Sequence, residues 1–427
     1  MRDDVKTDPW WWEDAPRPAI DSTELPVHVD VLVVGSGYTG LHAAIQTARA
    51  GRSTLVLDAE ALGWGCSARN GGQISTSIKP TYEELERLHG HDVAFGVRHT
   101  GIEALDFMDD FVRAEGIDCD FGRVGRFHGA HVPAQYEELA RAIASQPKGL
   151  EVEAHMVPRA EQHREIGSDL YHGGVVYSRH AACHPAKYHL GLLRLAREAG
   201  ATLVGGCRVD RIEAVSAGFH VTTPRGKVTA RDVVVATNGY TGAVAGWQRR
   251  RVIPIGSYMI ATEALDPALA REISPTRRVM SDSRKLVFYY RLCPQGRHML
   301  FGGRVALKET DPRVSGPLLH ASMSKIFPQL ASTRITHTWN GFVAYTFDTL
   351  AHIGKQDGIH YAMGYCGSGV SMASYFGMRL GLKVLGSPEG KTAFDDLTFQ
   401  TRPLYTGDPW FLAPAVMYYK LRDRLNI

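Results

Sequence analysis

No apolar run in this chain approaches the ~20 residues needed to span a bilayer, and residues 1–6 carry no secretory apolar core. The expectation is a cytoplasmic protein with no membrane partner. A surplus of one charge sign is also missing. The formal net charge is +3 over 427 residues, with both signs scattered, which argues against nucleic acid as a ligand. Cysteine is sparse: six in a chain this long suit free thiols better than a disulfide framework. There is no CxxC. The pairs His128/His131 and His180/His184 lack a matching third ligand, so no metal is expected. A GxSxG elbow is absent too, which removes the usual start of a hydrolase triad. Nothing in the composition speaks to oligomeric state. What remains is enough chain for two domains around a substantial core.

The first positive signal is Gly35-Ser36-Gly37-Tyr38-Thr39-Gly40. It follows the apolar run Val31-Leu32-Val33-Val34 and opens a stretch with Leu41, Ala44, Ile45 and Ala48 on one helical face. A second β-like run, Thr54-Leu55-Val56-Leu57, ends in Asp58. Strand, glycine turn, helix, strand and acid follow one another at the spacing of a dinucleotide fold. Gly35 permits the tight turn, Gly37 admits a pyrophosphate, and Gly40 lets the helix pack on the strand. The helix N-terminus then offers amides to the phosphates, and Asp58 can accept from a ribose diol.

Next comes Gly63-Trp64-Gly65-Cys66-Ser67-Ala68-Arg69-Asn70-Gly71-Gly72-Gln73, a loop of glycine, small polar residues and one cation. It is either a mobile surface loop or one built to pass close to a bulky ligand. Residues 31–73 together resemble the D-amino-acid oxidase-like flavoproteins, the superfamily of glycine, sarcosine and amine oxidoreductases. In that family an acid ends the second strand, and a loop containing Arg-Asn-Gly-Gly-Gln runs under the flavin.

Later segments fit the same resemblance. Residues 231–239 read as a buried strand ending in Thr237-Asn238-Gly239, after a hairpin over 219–230. Residues 359–365 read as a strand, followed by Gly367-Ser368-Gly369-Val370 and a helical pattern. Such a helix N-terminus can face the flavin and stabilise negative charge on it. The stretches Tyr289-Tyr290-Arg291-Leu292, Phe327-Pro328-Gln329-Leu330, Trp339-Asn340-Gly341 and the tail from Tyr418 to Leu425 are similar to those of an amine-oxidising subgroup that serves polyamine catabolism. Cys366, Ser368 and Asn340 depart from that subgroup's usual Ser, His and Thr.

The resemblance implies an α/β fold, α+β overall. It would have a Rossmann-type FAD-binding domain and an interleaved substrate domain on a mixed or antiparallel sheet. The expected division is a 1–26 aromatic arm, FAD-binding stretches 27–85, 170–250 and 345–400, substrate stretches 86–169 and 251–344, and a 401–427 tail. FAD contacts are implied for Gly35, Gly37, Tyr38, Thr39, Gly40, Asp58 and Ala59, and for Ser67, Arg69, Asn70, Gly71, Gly72 and Gln73. The later segments add Val209, Thr237, Asn238, Gly239, Gly367, Ser368, Gly369 and Val370. The flavin is expected to be non-covalent, because 342–346 contains no cysteine and Arg69 stands where some members have a linking histidine. Phe301 matches a position where oxidase members carry a lysine that assists oxygen, so the acceptor can be O2 or another compound.

The implied reaction is oxidation of a primary or secondary amine of γ-glutamylputrescine type to an imine, then an aldehyde. The flavin carries the redox chemistry, so no triad is needed, and catalytic side chains stay unassigned. Trp339, Tyr345, Tyr289 and Tyr258 are candidates to wall the pocket, or core residues. Arg291 and Arg304 are candidates to pair with a substrate carboxylate, or structural ion-pair residues. Two other functions stay open: an oxidase or dehydrogenase of a small amino acid, and a non-catalytic flavin- or NAD-binding regulator. The arm Trp10-Trp11-Trp12 is expected to dock on its own protein, because each ring buries a large apolar area.

Overall fold

The computed structural model describes residues 4–20, 23–306 and 309–425. Two large sheets organise it. The first runs in the order His352–Gln356, Ile359–Met363, Gly226–Val235, His28–Val34, Thr54–Leu57, Thr202–Val204. Its five inner and trailing strands are parallel; Val33 pairs with Val56 on one side and with Val234 on the other. Parallel strands need crossovers and are covered on both faces, so their sequences are continuously apolar. Residues 31–34 and 54–57 are buried throughout. The hairpin expected over 219–230 is present, with Phe219 opposite Ala230.

The second sheet has the order Ile335–Tyr345, Ile253–Thr262, Met299–Gly303, Tyr289–Leu292, Val279–Asp282, Arg126–Gly129, Gly174–Tyr177, Ala154–Val157. All its pairings are antiparallel except that of Val279–Asp282 with Arg126–Gly129. The fold is therefore α/β with a mixed second sheet, as expected. One face of this sheet carries Phe127, Tyr258, Tyr290 and Phe301, packed under helix Pro312–Ile326. The other carries Met259, Leu300 and Trp339 and meets the N-terminal arm.

Two segments go to unexpected places. Helix His91–Ala114 buries Ala94, Val97, Ala104 and Leu105 in the core of the first sheet. Its Gly101 lies so close to Thr76 that a Cβ would stand 2.2 Å from the Thr76 carbonyl oxygen. The strand Gly174–Tyr177, inside the 170–250 stretch, belongs to the second sheet. The arm is docked: Trp11 is fully buried, Trp10 nearly so, and Lys6 bridges to His337. The C-terminal helix Leu412–Leu425 returns to the second sheet's connections, where Asp423 accepts from the Lys285 and Leu286 amides at 3.0 and 3.2 Å. Among the described residues no helix is long and apolar enough to cross a membrane.

Candidate functional site

The first glycine turn is held by backbone contacts. Gly35 has φ +104°, and a Cβ there would stand 3.0 Å from the Ala236 oxygen. A Cβ on Gly40 would stand 2.0 Å from the Gly35 oxygen, which fixes the closeness of helix Tyr38–Arg49 to its strand. Gly37 is different. Its Cβ would meet only Ser67 Oγ, at 3.0 Å, so the space above it is a cradle. The first amides of a helix have no intrahelical acceptors; here Tyr38 N–H donates to Ser67 Oγ at 3.0 Å. A small hydroxyl thus stands where a phosphate oxygen is chemically suited. Asp58 has a second task beyond the one expected. One of its oxygens accepts from Ser36 N–H at 2.9 Å and Ser36 Oγ at 2.6 Å, and the other from Glu60 N–H at 3.1 Å. A carboxylate has about four acceptor sites, so roughly one remains for a ribose hydroxyl. Ala59 follows directly.

The loop over 63–73 is clamped from several directions. The Arg69 guanidinium lies between the Trp12 and Trp64 rings, at 4.8 and 4.4 Å, and donates to the Trp64 and Asn340 carbonyls. Asn70 Nδ2 donates to Cys66 O and Ser67 O, while its Oδ1 accepts from Gly72 N–H. Two indoles hold consecutive carbonyls: Trp339 Nε1 donates to Arg69 O at 2.7 Å and Trp11 Nε1 to Asn70 O at 2.8 Å. Gly72, at φ +63°, passes the Cys183 oxygen so closely that a Cβ would lie 2.2 Å from it. Gln73 then reaches the second sheet, donating to Met280 O and Tyr290 O. The loop is built, not mobile. The role of Trp11 and Trp12 in it was missed, because an arm far upstream carries no motif that names its target.

The C-terminal unit lies beside the first. Helix Gly369–Val384 crosses helix Tyr38–Arg49 at glycines: a Cβ on Gly377 would stand 2.5 Å from Thr39 O. Thr39 Oγ1 and Tyr365 OH are 2.6 Å apart. The two helix N-termini are therefore neighbours. Cys366 and Gly367 both take positive φ, 51° and 96°, to turn the chain into the second helix. Ser368 Oγ donates to Ser77 O, and Val370 is buried. Asn238, at φ +43°, accepts from Gly364 N–H, Gly239 packs against Phe342, and Thr237 bonds Thr241. Val209 is a core residue under the first sheet.

The substrate candidates divide. Tyr289 faces the loop; its ring is 3.0 Å from the position of a Gly71 Cβ, and its hydroxyl is 2.8 Å from Ser257 Oγ. Burial pushes its phenol up to about 12. Tyr345 has Lys79 over its ring at 5.3 Å and its hydroxyl near Gly367. The other four have structural partners. Trp339 is fully buried and spends its N–H on the loop. Tyr258, on the opposite face, donates to Glu309 at 2.9 Å. Arg291 serves three carbonyls, of Leu292, Gly72 and Cys183. Arg304 pairs with Glu309 at 2.9 Å and with Gly256 O at 2.7 Å. Phe301 also lies in the core of that far face, stacked on Tyr290; the residue opposite Tyr289 is Gly302. The position matched to an oxygen-assisting lysine therefore does not face the loop.

A glycine cradle at one helix N-terminus, a second N-terminus beside it and a built loop between two sheets define a dinucleotide-dependent oxidoreductase. The residues present fit an FAD-sized group, through the open face of Gly37 and the amides beside it. The family described as FAD dependent oxidoreductase matches residues 30–381, and the chain belongs to it. It is 32% identical over 415 residues to the γ-glutamylputrescine oxidoreductase of Escherichia coli K12, covering 95% of this chain and 96% of that protein. It is likewise 32% identical over 404 residues to the probable oxidoreductase OrdL of Rhizobium meliloti, covering 92% of each. Glycine oxidase from Geobacillus kaustophilus shares the fold, with TM-score 0.73 at 17% identity over 88% of this chain and 99% of that one. L-proline dehydrogenase from P. horikoshii does so with TM-score 0.70 at 19% identity over 92% and 99%. The chain is thus an enzyme that uses FAD, and the reading as a non-catalytic regulator falls.

Proposed function

We propose that this enzyme oxidises a primary or secondary amine of γ-glutamylputrescine type. The observation that carries the reading is the match to the E. coli γ-glutamylputrescine oxidoreductase over almost the whole of both chains. Bound FAD supplies a two-electron acceptor for hydride from the carbon beside the amine nitrogen. In this reading Gly35, Gly37 and the Tyr38 amide hold the pyrophosphate, and Asp58 takes the ribose. The loop over 66–73 and the N-terminus at Gly369 line the ring. Tyr289, Ser257 and Tyr345 offer hydroxyls and apolar walls that position an uncharged amine and keep water out. Loss of hydride and a proton turns the amine into an imine; water hydrolyses it to an aldehyde, with release of ammonia or an amine. The flavin is held without a covalent bond. Burial pushes the thiols of Cys66 and Cys366 up to about 11, so both stay protonated and poorly nucleophilic. Reoxidation by O2 or another acceptor, a cytoplasmic location and a place in polyamine catabolism belong to the same proposal.

Anaerobic titration of the yellow protein tests the reading. γ-Glutamylputrescine and simpler amines should bleach the flavin, and α-amino acids should not. Bleaching by α-amino acids alone would replace this reading with the amino-acid one.

A further inference from the structure

The face of the second sheet that looks toward Gln73 carries a cation that no acid among the described residues pairs with. Arg126 begins the strand Arg126–Gly129, in which Phe127 points into the core and Arg126 and His128 take the other side. Its Nη2 lies 3.5 Å from Gln73 Oε1, and its Nε is shielded from water with no hydrogen-bond partner. Among the described residues it makes no ion pair; directly opposite in register stands Tyr177, whose phenol burial pushes above its ordinary range and so keeps neutral. His180 stacks on Tyr177 at 4.7 Å, and its Nδ1 is also buried without a partner. Burial and the charge of Arg126 hold both histidines in the neutral form, His128 at about 3. Arg98 adds a second cation beside Tyr177, though its own guanidinium serves the Ile78 and Pro80 carbonyls. A half-buried guanidinium whose Nε is shielded from water and that has no acidic partner among the described residues is unfavourable, and its neighbours here are neutral hydrogen-bonding groups and a second cation. Such a pocket is completed by an anion.

We propose that Arg126 is the carboxylate anchor of the substrate pocket, binding the α-carboxylate of a γ-glutamylated amine whose free amine end lies beside Tyr289 and Gly71. This inference rests on the amine reading above and assigns the role first expected of Arg291 or Arg304. The sheet sets the span. Tyr289 pairs with Ser281, and Ser281 with His128. Two strand spacings and one further pair of residues along the strand separate Tyr289 from Arg126, about 12 Å in all. γ-Glutamylputrescine has about ten bonds between its amine nitrogen and its α-carboxylate carbon, roughly 12 Å when extended. A buried charge-assisted pair of this kind contributes about 10- to 100-fold in affinity.

The test compares γ-glutamylputrescine with 4-aminobutyrylputrescine, which lacks only the carboxylate, by anaerobic flavin reduction in the FAD-loaded enzyme. The wild type should prefer the carboxylated amine about 10- to 100-fold in half-saturating concentration. Arg126→Gln should collapse that ratio toward one, and Arg126→Lys should restore part of it, with FAD content and melting temperature measured alongside. A ratio near one in the wild type, or an unchanged ratio in Arg126→Gln, overturns the anchor. A second probe needs no turnover. γ-Glutamylethylamide, which keeps the glutamyl end but has no terminal amine, should perturb the flavin spectrum of wild type and bind about 10- to 100-fold more weakly to Arg126→Gln. Arg126-dependent binding of this probe with no bleaching by any amine would keep the anchor and reject the amine reading. Bleaching by amines with Arg126-independent probe binding would do the reverse.

Discussion

The two sheets meet the site by different means. On the first, the work is done by backbone: Gly35, Gly37 and Gly40 in one short turn, and Cys366 and Gly367 in another. On the second, in the proposed site, it falls to side chains from strands distant in sequence, Tyr289, Ser257, Tyr345 and Arg126 among them. A backbone cradle needs particular residues at fixed local spacing, because the absence of a Cβ at one position matters only to its immediate neighbours. A side-chain pocket needs only that cross-strand register brings suitable groups together. The first half therefore tolerates almost no substitution at a few positions, whereas the second spreads its tolerance over many.

The largest expected effect breaks the cradle without breaking the fold. Gly37→Val should give a folded protein with little or no FAD, because a Cβ there meets only Ser67 Oγ; normal far-UV circular dichroism in a colourless protein is the signature. Gly40→Val should instead fail to fold, its Cβ standing 2.0 Å from the Gly35 oxygen. A yellow Gly37→Val protein would refute the assignment of the turn. Next comes the clamp that joins the two halves. Trp11→Ala removes a fully buried indole and the N–H on Asn70 O; it should cost about 3–5 kcal/mol in denaturant unfolding and release FAD more readily. Arg291→Met leaves the Gly72, Cys183 and Leu292 carbonyls short of donors and should cost about 2–3 kcal/mol. Its ratio of γ-glutamylputrescine to 4-aminobutyrylputrescine should stay that of the wild type, in contrast to Arg126→Gln.

Two smaller effects sharpen the comparison. Hydride leaves the carbon beside nitrogen only when the nitrogen lone pair is free. At subsaturating amine the reduction rate should therefore rise about tenfold per pH unit from pH 7 toward the amine pKa, near ~10. Tyr289, held at about 12 by burial, stays protonated across that range and adds no step of its own. A flat stopped-flow profile would contradict the requirement for neutral amine. The smallest change is Trp339→Phe, which loses one hydrogen bond to Arg69 O and should cost about 1 kcal/mol, readable as a modest drop in melting temperature.

Legibility in the sequence follows the same divide. The strand–turn–helix–strand unit was readable, because residues 31–34 and 54–57 are buried on both faces and Gly35 needs positive φ. The hairpin at 219–230 and the strand before Gly364 were readable for similar reasons. Arg126–Gly129 and Gly174–Tyr177 were not. They are short, and the first alternates charge and imidazole with core residues, so it looks like a surface turn until its partners are known. Tyr258 and Tyr289 sit on the two strands that flank Met299–Gly303, yet they face opposite sides of the sheet. Only the register with Gly302 and Gly303 decides which of them meets the loop.

The crossing of the two helices at Gly377 and Thr39 sets an order in time. The first glycine turn is made long before the helix that packs against it, Gly369–Val384. Contacts between parts so distant in sequence form late, since closing a long loop costs entropy before the contact returns it. Between the making of the two, the nascent chain carries half a nucleotide cradle. Full affinity for FAD is expected only once helix Gly369–Val384 has folded onto helix Tyr38–Arg49, so uptake of the yellow cofactor should report that closure.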